Sequence, residues 1–240
     1  MNILSIGNSF SCDAQRYINR IAKSDGVNLT TFNLYIGGCP LSLHYRNMLS
    51  NDKAYLLEMN GESTGFKVSL KEALLNREWD IITLQQASVF STDYKSYKPY
   101  IDKLSSYIRE LCPKAKIVIH ETWAYLEGWD KRPDKKLYSN QDEIFSDIIN
   151  SYEKAAEDIE ASFIIPSGKL IQKLIKSGIS EIYRDLGHLS LGTARYAVGL
   201  LWYKVITGNS VLNNTFSDFD EEISEEDIIT IKECVEEFTK

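Results

Sequence analysis

Residues 1–15 read MNILSIGNSFSCDAQ, and the fold follows from them. Ile3 to Ile6 is a short apolar run without strict polar alternation, the pattern of a strand covered on both faces. It runs into Gly7, Asn8 and Ser9, and apolar positions then recur at helical spacing, at Ala14, Ile18, Ile21 and Ala22. A strand passing straight into a helix is the opening unit of a parallel α/β sheet. No basic segment followed by a long apolar one precedes it, so the first residues read as fold. A cytoplasmic location is the default expectation, or an exported one where a leader has been removed.

The unit repeats along the chain. Further apolar runs lie at Leu29 to Ile36, Asp80 to Leu84, Lys116 to His120 and Ser162 to Ile165. Between them Tyr97, Ile101, Leu104, Ile108 and Leu111, then Ile144, Ile148, Ile149, Tyr152 and Ala156, fall on helical faces. The expectation is a three-layer α/β/α sandwich around a flavodoxin-like, doubly wound sheet of five parallel strands in the order 2-1-3-4-5. One stretch breaks the alternation. Ala54 to Met59, the turn residues Asn60 and Gly61, and Phe66 to Val68 read as a β-hairpin inserted at 53–69, either bordering a pocket or forming a surface flap. With no repeat or low-complexity linker, residues 1–240 read as a single domain.

Composition sets outer bounds. The chain is 43% hydrophobic and 25% charged with a mean hydropathy of −0.26, ordinary for a globular protein. Its 27 Lys and Arg against 34 Asp and Glu give a net charge of −7, which repels phosphate backbones and anionic lipid, so neither nucleic acid nor membrane is expected as a partner. The acidic stretch from Asp218 to Asp227 reads as a solvated helix entry. Cys12, Cys39, Cys112 and Cys234 form no CxxC pair and no short Cys/His cluster, so they read as idle thiols, with no metal or cofactor implied.

Chemistry-bearing residues gather where strands end. In doubly wound sheets ligands bind beyond the carboxyl ends of the strands, and Ser9 stands at the first such end. A serine before a helix also serves as an N-cap. Near the other terminus Asp185 and His188 stand three apart before the apolar helix from Thr193 to Tyr203, so the carboxylate can hold one imidazole nitrogen and leave the other free as a base. With only three histidines, His44, His120 and His188, few imidazoles can serve a serine nucleophile. Gly37 and Gly38 after the second strand allow close approach of a backbone N–H, and Gln85 or Gln86 after the third offers a side-chain donor.

These stretches together resemble the SGNH (GDSL-type) serine esterase and acetylesterase superfamily. ILSIGNSFS resembles its first block, YIGGC its second and DLGH its DxxH block, in the family's order along nearly the whole chain. The resemblance implies Ser9 as nucleophile, Asp185 as orienter and His188 as base. It also implies an oxyanion hole from Ser9, Gly38 (Gly37 in reserve) and an amide of Gln85 or Gln86. Two departures stand out: Asn8 replaces the usual aspartate of GDS, and LQQAS replaces a third block that customarily carries Asn. A Gln-containing third block is similar to that of some carbohydrate acetylesterases and of a bacterial SGNH-like subgroup.

The implied activity is hydrolysis of carboxylic esters through an acyl-enzyme, without metal or cofactor. The expected substrate is a small acyl group, acetyl first, on a carbohydrate or related small molecule, with a lysophospholipid or thioester as the alternative. Gly37, His44, Trp123 and Tyr125 are the candidate substrate contacts; Trp123, Tyr125 and Trp129 form an aromatic cluster beyond the fourth strand, as a sugar-stacking wall or as packing beneath a loop. The competing reading from another class is a non-catalytic flavodoxin-like binding module, against which the first loop lacks the glycine spacing that cradles phosphate.

Overall fold

A computed structural model describes residues 1–239. In chain order it contains β1 (Asn2–Gly7), α1 (Ser9–Gln15), α2 (Ile18–Ser24), β2 (Thr30–Tyr35), α3 (Leu41–Ser50), β3 (Tyr55–Met59), β4 (Glu62–Val68) and α4 (Leu70–Leu75). There follow β5 (Ile81–Leu84), α5 (Tyr100–Leu111), β6 (Lys116–Glu121), α6 (Gln141–Asp158), β7 (Ile164–Pro166), α7 (Ser167–Lys176), α8 (Thr193–Thr207) and α9 (Glu225–Glu236). The expected first helix is two, because the chain breaks between Gln15 and Ile18. The helix expected to include Tyr97 starts only after Pro99, which cannot donate to a preceding turn.

Strands β2, β1, β5, β6 and β7 pair in parallel, which is the expected α/β sheet in the expected order 2-1-3-4-5. The full sheet has seven strands, order β4-β3-β2-β1-β5-β6-β7. The hairpin at 53–69 is therefore part of the sheet and not a free flap: β3 pairs antiparallel with β2, from Phe32 opposite Met59 to Tyr35 opposite Leu56. Without it β2 would present an open edge of unpaired backbone groups. Asn60 and Gly61 turn the hairpin with φ of 53° and 80°, the left-handed pair that suits a tight two-residue connection. Arg16, at the end of α1, donates to Gly61 O at 3.0 Å and pairs with Glu62 and with Asp220, fastening the turn to the first helix.

Alternate strand residues feed two cores. Ile3 packs with α2, α7 and α8 on one face, while Leu4 and Ile6 pack with Leu34, Ile82 and the α5 and α6 faces on the other. Helix α8 is apolar nearly all round because α2, α7 and α9 cover it. Among the described residues, no helix is long and apolar enough to cross a membrane. The register sets Ile6 beside both Leu34 and Leu84, and Leu84 beside Ile119. The turns after β1, β2, β5 and β6 therefore open at one edge of the sheet.

Candidate functional site

The turn after β1 is built by Asn8. Its side-chain oxygen accepts from Phe10 N at 3.0 Å, and Asn8 N donates to Ser11 Oγ at 3.0 Å, a reciprocal cap. Asn8, not Ser9, thus caps α1, and the Ser9 hydroxyl is released from that duty. Ser9 Oγ lies 2.9 Å from His188 Nε2, and His188 Nδ1 lies 2.7 Å from Asp185 Oδ2. An ionised carboxylate only accepts, so Nδ1 of the neutral ring carries the hydrogen, and Nε2 accepts from the Ser9 hydroxyl. Asp185 Oδ1 also accepts from Gly187 N at 2.8 Å and His188 N at 2.7 Å. Partial burial pushes this carboxyl up, but the two backbone N–H groups and the imidazole outweigh it and hold the group at about 2.

The loop carrying Asp185 and His188 is anchored from several sides. The buried Asp13 carboxylate of α1 pairs with Arg184 at 2.9 Å and Arg195 at 2.7 Å, and accepts from Leu189 N at 3.1 Å. Trp123 donates to Gly187 O at 2.8 Å and stacks on Phe10 at 4.4 Å. Gly187 is required by close approach, since a Cβ there would come within 2.7 Å of the Trp129 ring. Trp129 itself stands edge-on to the His188 ring at 5.0 Å and donates to Ser88 Oγ at 2.8 Å. Beside this group an open cleft of about 430 Å³ is lined by Gly38, Ala87, Ser88, Val89, Gly128, Trp129, Lys131, Asp185 and Leu186. Most of that wall is apolar.

A family model described as a domain of unknown function, DUF4886, matches residues 2–232. The chain belongs to the DUF4886 family. A crystal structure of a DUF4886 family protein from Bacteroides uniformis ATCC 8492 is 32% identical, with a TM-score of 0.91 over 98% of this chain and 93% of that one. More distant is a protein from Slackia heliotrinireducens described as a candidate SGNH hydrolase, at 22% identity and TM-score 0.59 over 85% of this chain and 97% of the other. A candidate GDSL-like lipase from Parabacteroides merdae ATCC 43184 follows at 16% and 0.51, over 85% and 94%. At these identities the likeness is one of fold. No curated protein matches the chain.

The other sequence candidates in this DUF4886 chain are distributed unevenly. Gly37 and Gly38 form the turn after β2, Gly38 with φ of 61° and on the cleft wall, and the next carbonyl, Cys39 O, accepts from Asn8 Nδ2 at 3.2 Å. The glycine turn and the Ser9 turn are thereby tied. Both Gln carboxamides are buried and have both ends bonded within the protein, as groups removed from water must. Gln86 Oε1 accepts from Leu41 N and Ala87 N, and its amide donates to Ser96. Gln85 lies between Asn8 Oδ1, at 2.9 Å, and His120 Nδ1, at 2.8 Å.

His44 is not at the site. It is fully buried, bonded to Tyr55 OH at 3.0 Å beneath the hairpin, and burial lowers its ring to about 3. Trp123 is also fully buried, so its face supports Phe10 in place of a sugar. Tyr125 lines a separate cavity of about 270 Å³ under the 126–140 loop. The aromatic residue of the cleft is Trp129. Among the described residues no group of three or more His, Cys, Asp or Glu is placed to hold a metal ion. Asp13, Arg184 and Arg195 escaped sequence reading, although Arg184 adjoins the DLGH stretch and Asp13 lies four residues beyond Ser9.

Proposed function

We propose that this chain hydrolyses carboxylic esters by acyl transfer through Ser9, His188 and Asp185. One observation carries the reading: the Ser9 hydroxyl is in hydrogen-bond contact with an imidazole whose other nitrogen is held by a carboxylate. As Ser9 Oγ attacks the ester carbonyl, its proton passes to His188 Nε2, and Asp185 stabilises the resulting imidazolium. The C–O bond to the alcohol then breaks and His188 returns the proton to the leaving oxygen. Water, deprotonated by the same nitrogen, attacks the acyl-serine and restores the hydroxyl.

The developing oxyanion takes the backbone N–H groups of Ser9 and Gly38, the former free of an intrahelical acceptor at the start of α1. Gln85 and Gln86, the third donor implied by the family resemblance, are not assigned that task, because each carboxamide is already engaged. The first substrate class is a small acyl ester, acetyl foremost, of a carbohydrate or similar small molecule. The apolar cleft of about 430 Å³ favours a second reading, a longer acyl chain such as a lysophospholipid or thioester carries.

Labelling with a fluorophosphonate tests the activity: folded wild type should label and Ser9→Ala should not. Unlabelled folded wild type overturns the reading. Graded p-nitrophenyl esters then separate the acyl classes, with acetate favoured under the first and long chains under the second.

A further inference from the structure

Below Ser9 runs a line of buried side chains that the proposed acyl transfer does not use. Trp202 Nε1 donates to Ser167 Oγ at 3.3 Å, and Ser167 Oγ lies 3.1 Å from His120 Nε2. His120 Nδ1 is 2.8 Å from Gln85 Oε1, Gln85 Nε2 donates to Asn8 Oδ1 at 2.9 Å, and Asn8 Nδ2 donates to Cys39 O at 3.2 Å. All five side chains are buried, so each polar atom must find its partner within the protein.

The direction of every bond is fixed from its ends. The Cys39 carbonyl only accepts and Phe10 N only donates, so Asn8 presents its NH₂ to the first and its oxygen to the second. Gln85 must then turn its NH₂ toward Asn8 and its oxygen toward His120. That oxygen requires a hydrogen on His120 Nδ1, which leaves Nε2 to accept the Ser167 hydroxyl. Trp202, a donor alone, is consistent at the far end. A single tautomer satisfies the whole line, and burial, which lowers the ring to about 3, keeps it neutral.

Asn8 is where the line meets the site. It caps α1 around Ser9 with one end and grips the glycine turn with the other. We infer that Gln85 and His120 are positioning residues for Ser9, acting at one remove: they lock Asn8, and Asn8 sets the distance between the Ser9 and Gly38 N–H groups. The inference rests on the esterase reading but goes beyond it, since it gives the altered third block a task other than donating to the oxyanion. A misplacement of about 1 Å at a reacting group costs on the order of 100-fold in rate, so such a lock has a measurable effect.

Two measurements test it. In ¹⁵N-labelled resting protein the His120 ring, assigned by loss of its signals in His120→Asn, should show the neutral Nδ1–H pattern; an Nε2–H pattern overturns the inference whatever the activity. In ester hydrolysis Gln85→Leu and His120→Phe should each lower kcat on the order of 100-fold with KM little changed. The double variant should be no slower than the slower single one, and His120→Asn, which keeps an N–H near Nδ1, should recover most of the loss. A folded His120→Phe with wild-type kcat, or multiplicative losses in the double variant, overturns the inference. Should His120→Phe fail to fold, Ser167→Ala replaces it, with a weakened Nδ1–H pattern and reduced kcat expected and no change in either counting against the lock. Absence of fluorophosphonate labelling in folded wild type is a distinct result that removes the esterase reading and the positioning role together, while the tautomer pattern reports on the line itself.

Discussion

Asp13 and Arg184 are 171 positions apart in the chain and meet at 2.9 Å. The contact joins the helix that begins with Ser9 to the loop that ends in His188, and Arg195 reinforces it from α8. Removing the carboxylate leaves two guanidinium groups facing each other without their counter-charge. Asp13→Ala should therefore lose about 3 kcal/mol of unfolding free energy in a denaturant titration. Arg184→Met keeps the Arg195 partner and should stay within about 1 kcal/mol of wild type, while ester turnover falls because the loop is less well held. An Asp13→Ala protein as stable as wild type would show that this pair is not what ties the loop to α1.

Asp185→Asn changes the group that keeps the hydrogen on His188 Nδ1. Turnover should drop on the order of 10,000-fold, as it does when a triad carboxylate becomes an amide elsewhere, with KM little altered. The carboxyl sits at about 2 in the folded chain against an ordinary 3.8, so its contribution to stability is present above 3.8 and lost as pH falls toward 2. Thermal unfolding at pH 5, 3 and 2 should show a shallower acid decline in the variant. Equal declines would mean that the carboxylate gains nothing from its two backbone donors.

Glu121 gives the opposite sign. Burial raises its carboxyl from 4.5 to about 7 against the pull of Lys169, and its Oε2 has no hydrogen-bond partner. Between those values the unfolded group is ionised and the folded one retains its proton, so stability falls as pH rises through the window. Glu121→Gln should flatten that fall when unfolding free energies at pH 5 and pH 8 are compared. A variant with the wild-type slope would contradict the assignment.

Trp129 forms a wall of the cleft and stands edge-on to His188. In Trp129→Ala, kcat/KM for long-chain p-nitrophenyl esters should fall about 10-fold further than for the acetate, the effect of taking one aromatic ring out of the acyl path. A uniform decrease across chain lengths would confine the residue to supporting the imidazole.

Gln86 offers a contrast with Gln85. Its carboxamide satisfies Leu41 N at 3.0 Å, so Gln86→Ala should cost about 1 to 3 kcal/mol in stability with kcat within a few-fold of wild type. A loss of about 100-fold in kcat at unchanged stability would restore it as the third oxyanion donor.

The parallel strands are legible as apolar runs ending in small or polar residues, and the pairing of Asp185 with His188 from their spacing of three; that Ser9 meets His188 is not a local pattern, since 179 positions separate them, and it is implied only by the family resemblance. What is not legible is that the hairpin extends the sheet, since β4 reads ESTGFKV, mostly polar and exposed, and only the open edge of β2 explains why β3 and β4 join it. The Gln pair is legible as a pair of amides and illegible in direction, because a carboxamide after a strand can turn either way, and the partners that orient Gln85 lie 77 and 35 residues off, at Asn8 and His120. His44 misled for a related reason: a histidine on a helix following the glycine turn gives no local sign that a tyrosine from the next hairpin will cover it.

The grip of Arg16 on Gly61 and Glu62 makes the hairpin an awkward place to cut or graft. A loop tip two strands away from the centre of a sheet is ordinarily where engineers splice in tags or relocate chain ends. Here the same tip holds the far end of the helix that starts at Ser9, so an insertion between Asn60 and Gly61 would loosen that helix end together with the hairpin.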